Sequence, residues 1–353
     1  MTRARLTLAA LAVAALAAAS CDRRPQIMPA GSDSTAANPD TFAVLARQAA
    51  DRWDAGADED AAVMSAKLVL EALRLRPSAP WADRAKDVLD SLGIAAEVAN
   101  DDRVVVVNLF SRARGGDASY PYVYWKSDGP RVQALEASDL HLNTVATRGF
   151  TKKSEPTDSA GVAVLWGRRA GAGQQPMLMV WRAGPGGRWD FAQALGPDSL
   201  GGTGSGEFTG SDTSLALETR TYRSTPYFDE CANCAHVFRE RRYAWRSGGF
   251  EKTDEQVVPS PYSSFTAFIA ALVAGDRDAA ARRAVDPSLV EFARRFEWNV
   301  AGRGRWRVAP VSDESSTSMI FLRGSSEAYR VTFEARDGDW VVAGFESTTL
   351  PAE

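Results

Sequence analysis

Cys231 and Cys234, with His236 close behind, are the residues in this chain whose types and spacing come nearest to doing chemistry. A dithiol of this spacing acts as a redox centre when its first thiolate sits at a helix N-terminus, where the helix dipole lowers the thiol pKa. The flanking residues predict something else. Ser224 to Glu230 is turn-rich, and His236 to Trp245 alternates, with Val237, Tyr243 and Trp245 at odd positions, which is the period of a strand. Without a helix the dipole is missing, so a structural disulfide is expected, with a redox-active pair as the alternative. Haem attachment requires histidine directly after the second cysteine, and Ala235 stands there. Zinc needs about four ligands, and His141 is the only other histidine.

The remaining chemical motifs are incomplete. A Ser-His-Asp triad would have to use His141 or His236, and no Gly-x-Ser-x-Gly elbow occurs. His141, between Leu140 and Leu142, reads as a strand histidine facing solvent. Gly201 to Gly206 has the glycine content of a phosphate cradle, but it lacks the following lysine and precedes Glu207-Phe208-Thr209-Gly210 rather than a helix, so a flexible loop is expected. Arg239, Arg241, Arg242 and Arg246 form a basic cluster around Glu240, expected as a solvated strand face, with an anion site as the alternative. No catalytic residue, cofactor ligand or metal ligand is assigned from the sequence.

At the N-terminus Arg3 and Arg5 precede an apolar run from Leu6 to Ala19. As a helix that run rises about 21 Å, short of the roughly 30 Å hydrocarbon core, so it reads as a secretory signal rather than a span. It ends Ala18-Ala19-Ser20-Cys21, which resembles the lipobox of bacterial lipoproteins, with Ala18 where that family usually has leucine. The resemblance implies that the thiol of Cys21 carries a diacylglycerol and that the chain is cut just before it. The expected location is therefore extracytoplasmic and lipid-anchored, with the choice of bacterial membrane open. From Asp22 to Pro39 the chain is rich in Pro, Gly, Ser, Thr and Ala, too apolar-poor to offset ordering entropy, and is expected to be a disordered tether.

Removing Arg3 and Arg5 takes the formal charge from −4 to about −6. A mildly acidic chain argues against nucleic acid as a partner. An apolar content of 45% with ten tryptophans is enough for substantial cores.

The elements that must position these residues fall into three segments. From 40 to 98 the pattern is helical: Phe42, Leu45, Ala46, Ala49, Ala50 and Trp53 form one face, Asp58-Glu59-Asp60 opens a second helix ending at Arg76-Pro77, and Trp81, Ala85, Val88, Leu89 and Leu92 line a third. Leu-Arg-Leu-Arg-Pro at 73–77 with Trp81-Ala82 is similar to half of one tetratricopeptide unit, too little for an array, so a helical hairpin or three-helix cap is expected. From 99 to 258 the period is two, and an antiparallel β domain, sandwich or open barrel, is expected. An echo runs through it, an aromatic and a basic residue leaving a strand into a glycine turn at Trp125, Trp181 and Trp245. The unequal spacings of 56 and 64 residues indicate recurring hairpins rather than a regular propeller.

Pro259-Ser260-Pro261 opens the last segment, 259–353, with a stripe of Tyr262, Phe265, Phe268, Ile269, Leu272 and Val273, then two shorter helices and four strand-like runs. Leu289, Phe292 and Phe296 are expected inward on the third helix, and Val331, Phe333, Val341 and Ala343 inward on the strands. Helices followed by a meander ending Gly-Asp-Trp-Val-Val-Ala-Gly-Phe are similar to the cone-shaped cystatin-like fold shared with nuclear transport factors. That fold hosts enzymes and inert adaptors alike. The sequence thus predicts a multi-domain α+β protein: signal 1–20, tether 21–39, helical segment 40–98, β domain 99–258 and cone-like domain 259–353. Its expected role is non-enzymatic binding of an envelope protein or glycan. A ligand-binding or enzymatic cone domain, or redox action of Cys231 and Cys234, are the alternatives.

Overall fold

The computed structural model describes residues 39–101, 104–111, 118–127, 129–135, 140–150, 159–171, 173–183, 189–211, 214–246, 248–309 and 317–349. The signal segment, Cys21 and all but the last residue of the tether lie outside them. The chain divides into two compact units. One contains the described residues up to Gly149, Ser159–Val164 and Trp181–Phe191, and the other Leu165–Val180 and everything described from Ala192 onward. The fold is α+β: three N-terminal helices, antiparallel sheets, then further helices and a sheet.

In the first unit helices α1 (Pro39–Ala55), α2 (Glu59–Leu75) and α3 (Trp81–Asp90) precede a meander of β1 (Ala96–Asn100), β2 (Val104–Ser111), β3 (Ala118–Ser127) and β4 (Gly129–Ala134). The acidic trio caps α2 as expected: Asp58 Oδ1 accepts the Ala61 N–H at 2.9 Å. Small residues on α2, including Ala62, Ala66 and Ala72, are fully buried and allow close approach to the sheet. Val105, Val107, Leu109, Tyr122 and Tyr124 share one core with Leu68, Val69, Leu73 and Leu89. The buried Tyr124 hydroxyl donates to the Ala66 carbonyl at 3.1 Å, tying sheet to helix. The helices therefore do not stand apart from the β region. They share its first core, and β1 runs across the expected boundary at 98–99.

Strands β5 (Leu140–Phe150), β6 (Ser159–Ala170), β7 (Gly173–Ala183) and β8 (Trp189–Leu195) form a second ladder in sequence order. A third joins β9 (Thr203–Thr209), β10 (Ala216–Tyr222), β11 (Arg239–Arg246) and β12 (Gly249–Val257), and a fourth joins β13 (Trp306–Val308), β14 (Ser318–Arg323), β15 (Glu327–Arg336) and β16 (Asp339–Ser347). The antiparallel β region expected over 99–258 consists of three four-stranded sheets, each with its strands in sequence order. The aromatic echo has a simple structural meaning. Trp125, Trp181 and Trp245 all lie on the third strand of their meander, before the turn into the fourth.

In the second unit Pro197–Leu200 forms a single helical turn, α4, closed by Gly201 at φ +103. The glycine-rich run that follows is strand β9 rather than a flexible loop, paired with β10 from Thr203 to Thr209. Its glycines do not break the ladder because backbone comes close there: a Cβ on Gly204 would run into the Arg220 carbonyl. Helix α5 (Pro261–Ala274) begins with a capping box in which Ser260 and Ser263 bond each other's backbone N–H. With α6 (Arg277–Arg282) and α7 (Ser288–Arg295) it shares a core with sheet β13–β16, rich in aromatic rings: Phe265, Phe268, Trp298, Trp306, Phe321 and Tyr329.

Two expectations for this core need correction. A register shift between Thr332 and Phe333 re-phases β16, so Trp340, Val342 and Phe345 join the core, whereas Ala343 does not. Phe292, expected inward, is 40% exposed, although its ring meets Phe296 and Phe345. The core also reaches back across Pro259. Phe228 and Ala235 belong to it, and the segment is pinned to β13 by Asp229 N–H to Trp306 O at 2.7 Å and Trp306 N–H to Tyr227 O at 2.8 Å.

Candidate functional site

The two faces of sheet β9–β12 differ in kind, and the difference follows from strand period and register. Pairing places Thr219 opposite Arg241 and Arg241 opposite Glu255, with Thr221, Arg239 and Val257 in the next row. Those six positions share one face. The intervening rows, Glu218–Arg242–Asp254 and Arg220–Glu240–Gln256, share the other. The basic cluster seen in the sequence is thus split between faces, and Arg241 is far from solvated, with its side chain 10% exposed. The outer face is a shallow groove carrying both signs, where Arg242 pairs with Glu218 at 3.1 Å and Gln256 bonds Glu240.

The inner face borders a cleft of about 430 Å³ whose opposite wall is α5. Arg223, Arg239, Arg241 and Arg283 line it, and they are paired with Asp198, Glu255 (shared by Arg239 and Arg241) and Asp339, so four guanidinium groups stand against three carboxylates. Val237, Val257, Ala267 and Ala270 supply apolar lining. Arg241 is the most rigidly held: its Nη1 donates to Thr221 Oγ1 at 2.8 Å and its Nη2 to Glu255 Oε1 at 3.1 Å. Thr221 in turn donates to the Leu200 carbonyl of α4 at 3.0 Å. Gly201 is required at this point, because a Cβ there would overlap both Arg241 Nη1 and Thr221 Oγ1. Arg239 also reaches Glu255, Arg223 bonds the Asp198 backbone carbonyl, and Arg283 pairs with Asp339. The Lys252 ammonium, 2.7 Å from Glu255, and the nearby Arg241 guanidinium overcome the upward push of burial and hold the Glu255 carboxyl at about 2.

One end of the cleft, at Tyr222 and Thr225, rests on a buried node beside the cysteine pair. The Glu230 side chain is 3% exposed; it accepts the Tyr262 hydroxyl at 2.7 Å and the Thr225 N–H at 3.1 Å. His236, with its side chain 5% exposed, brings Nδ1 to 3.5 Å from Glu230 and stacks on Tyr222 with ring centroids 3.6 Å apart. Neither ring nitrogen makes a hydrogen bond among the described residues. Burial pushes the Glu230 carboxyl up, but His236, Thr225 and Tyr262 outweigh it and leave the group below its usual range. Tyr262 is raised well above an ordinary phenol, first by burial and then by that carboxylate. A general base needs a ring nitrogen open to substrate, and here the imidazole is buried beneath Tyr222, so the geometry is that of a strut.

The sulfurs of Cys231 and Cys234 lie at disulfide distance, with the Cα atoms 5.1 Å apart and the Cys234 N–H bonded to the Cys231 carbonyl at 3.0 Å. The pair sits in a turn, and the next regular element is strand β11, so no helix dipole acts on either sulfur. His141 lies in β5 of the first unit, where its side chain is 17% exposed, tilted on Phe110 and 3.7 Å from Glu97, instead of facing solvent. Among the described residues no three His, Cys, Asp or Glu side chains gather as a metal site, and no helix is long and apolar enough to cross a membrane. Sequence reasoning found Arg239 and Arg241 but missed Arg223 and Arg283, which come from a turn and a helix end that no local pattern links to β11. No family model matches the chain, and no curated protein is significantly similar to it.

Proposed function

We propose that this protein is a lipoprotein of the bacterial cell envelope, anchored through Cys21, that acts by binding an anionic ligand in the cleft between sheet β9–β12 and α5. The observation that carries the binding role is the gathering of four arginines around that cleft on a chain whose formal charge is −4. Guanidinium groups that converge on one cleft offer an incoming anion several charge-assisted hydrogen bonds. The reading of the C-terminal module as a cystatin-like cone is supported by α5 sharing a core with a four-stranded antiparallel sheet, an arrangement that other α+β folds also have. The core between these helices and the sheet is filled by aromatic rings, which favours a binding surface outside that core.

The test is thermal unfolding at low ionic strength with matched anionic, cationic and neutral small molecules. Anions should raise the midpoint, added salt should erase the effect, and Arg283→Gln should reduce it. Equal stabilisation by cationic or neutral compounds would overturn the binding role assigned to the cleft.

A further inference from the structure

Resting on that reading of the cleft, we propose that its ligand is an organic phosphate, a phosphate monoester joined to a carbon-rich body. Three features point to this class. The first is the cation set: Arg223, Arg239, Arg241 and Arg283 bring four guanidinium groups to one cleft against Asp198, Glu255 and Asp339, and guanidinium pairs bidentately with phosphate oxygens. The second is donor supply. Each guanidinium offers five N–H donors, and Arg239 and Arg283 engage their carboxylates through Nη1 alone, leaving donors in the fork geometry that suits phosphate oxygens. The third is the rest of the wall. Val237, Val257, Ala267 and Ala270 would stay wet beside inorganic phosphate but are covered by a carbon body, and about 430 Å³ is within the range of small-ligand sites. Val257, 39% exposed at the end of β12, is apolar surface that such a body would bury.

The phosphate could belong to a soluble metabolite or to a lipid headgroup, and the same experiment separates them. Calorimetry on the full chain in detergent compares phenyl phosphate with inorganic phosphate, benzoate and phenol at fixed salt. Phenyl phosphate should bind at least about tenfold more tightly than each of the others, the step expected from losing one charged or apolar component. Arg239→Gln and Arg283→Gln should each weaken it about tenfold, while Arg242→Gln on the opposite face should not change it. Ala270→Trp, at an exposed position of α5, should block binding without disturbing the core, which covers the case in which an arginine variant fails to fold. Vesicles of phosphatidylcholine containing phosphatidate that compete with phenyl phosphate point to the lipid source, and vesicles that do not compete point to the soluble one. Benzoate binding as tightly as phenyl phosphate would overturn the phosphate class and leave the anion cleft standing. Failure of every anion to bind would overturn both.

Discussion

Glu230 carries more of the fold than the disulfide beside it. The Cys231–Cys234 link closes so short a loop that it removes little chain entropy, and the double change to serine should cost only about 1–2 kcal/mol. Glu230 accepts from Tyr262 on α5 and from the Thr225 backbone, and it faces His236. Removing it leaves buried donors without an acceptor, so Glu230→Ala should cost roughly 3 kcal/mol or more. Urea unfolding of the two variants gives the order directly; a larger loss for the cysteine variant would mean that the disulfide, not the carboxylate, sets this turn. The same residue predicts a pH dependence. Its carboxyl is held below the ordinary 4.5, so the stability it contributes is present above that value and is lost as pH falls through the folded value. Glu255 acts in the same direction over a window from 4.5 down to about 2. Wild type should therefore lose its advantage over Glu230→Gln and Glu255→Gln on acidification. A difference that grows toward low pH would reverse the sign worked out here.

At the scale of elements, local pattern carried a great deal. The Asp58 cap, the stop at Arg76-Pro77, the α5 stripe and the alternation of β11 and β15 are written in neighbouring residues, and the structure follows them. What escaped depends on partners distant in sequence. The glycines of β9 look flexible until β10 is beside them, the β16 phase depends on a bulge seen only against β15, and the cleft unites a turn, a strand and a helix end. The largest case is the segment around Phe228 and Ala235, which precedes the Pro259 break yet packs with Phe265, Trp306 and Phe321. A fragment beginning at Val258 lacks it and opens a Phe-sized gap at 1% exposure in the intact core, a loss of roughly 3–5 kcal/mol. The fragment from Val258 should therefore unfold with poor cooperativity, whereas one from Ala192 should unfold in a single sharp transition. Calorimetry of the two fragments distinguishes these outcomes, and equal midpoints would show that Phe228 is peripheral.

For the molecule as a whole, the proposed envelope location asks what would hold an acidic protein at a membrane. If residues 1–20 are removed as proposed, the formal charge is about −6 and anionic headgroups would repel the chain, and among the described residues no helix is long and apolar enough to cross a bilayer. A lipid on Cys21 would meet that need by burying hydrocarbon at about 0.8 kcal/mol per CH₂, and stable anchoring takes more than one chain, as a diacylglycerol provides. On that proposal, an expected tether of about 18 residues would have a reach of roughly 20–25 Å and would raise the effective concentration of a cleft ligand carried by a lipid. Because the hold would be hydrophobic and not electrostatic, a high-salt wash should leave the wild-type protein on the membrane while detergent releases it. Cys21→Ala should abolish labelling by a fatty-acid probe and give either unprocessed precursor or soluble protein. Release of the wild type by salt alone, or undiminished labelling of the variant, would show that the anchor lies elsewhere in the chain.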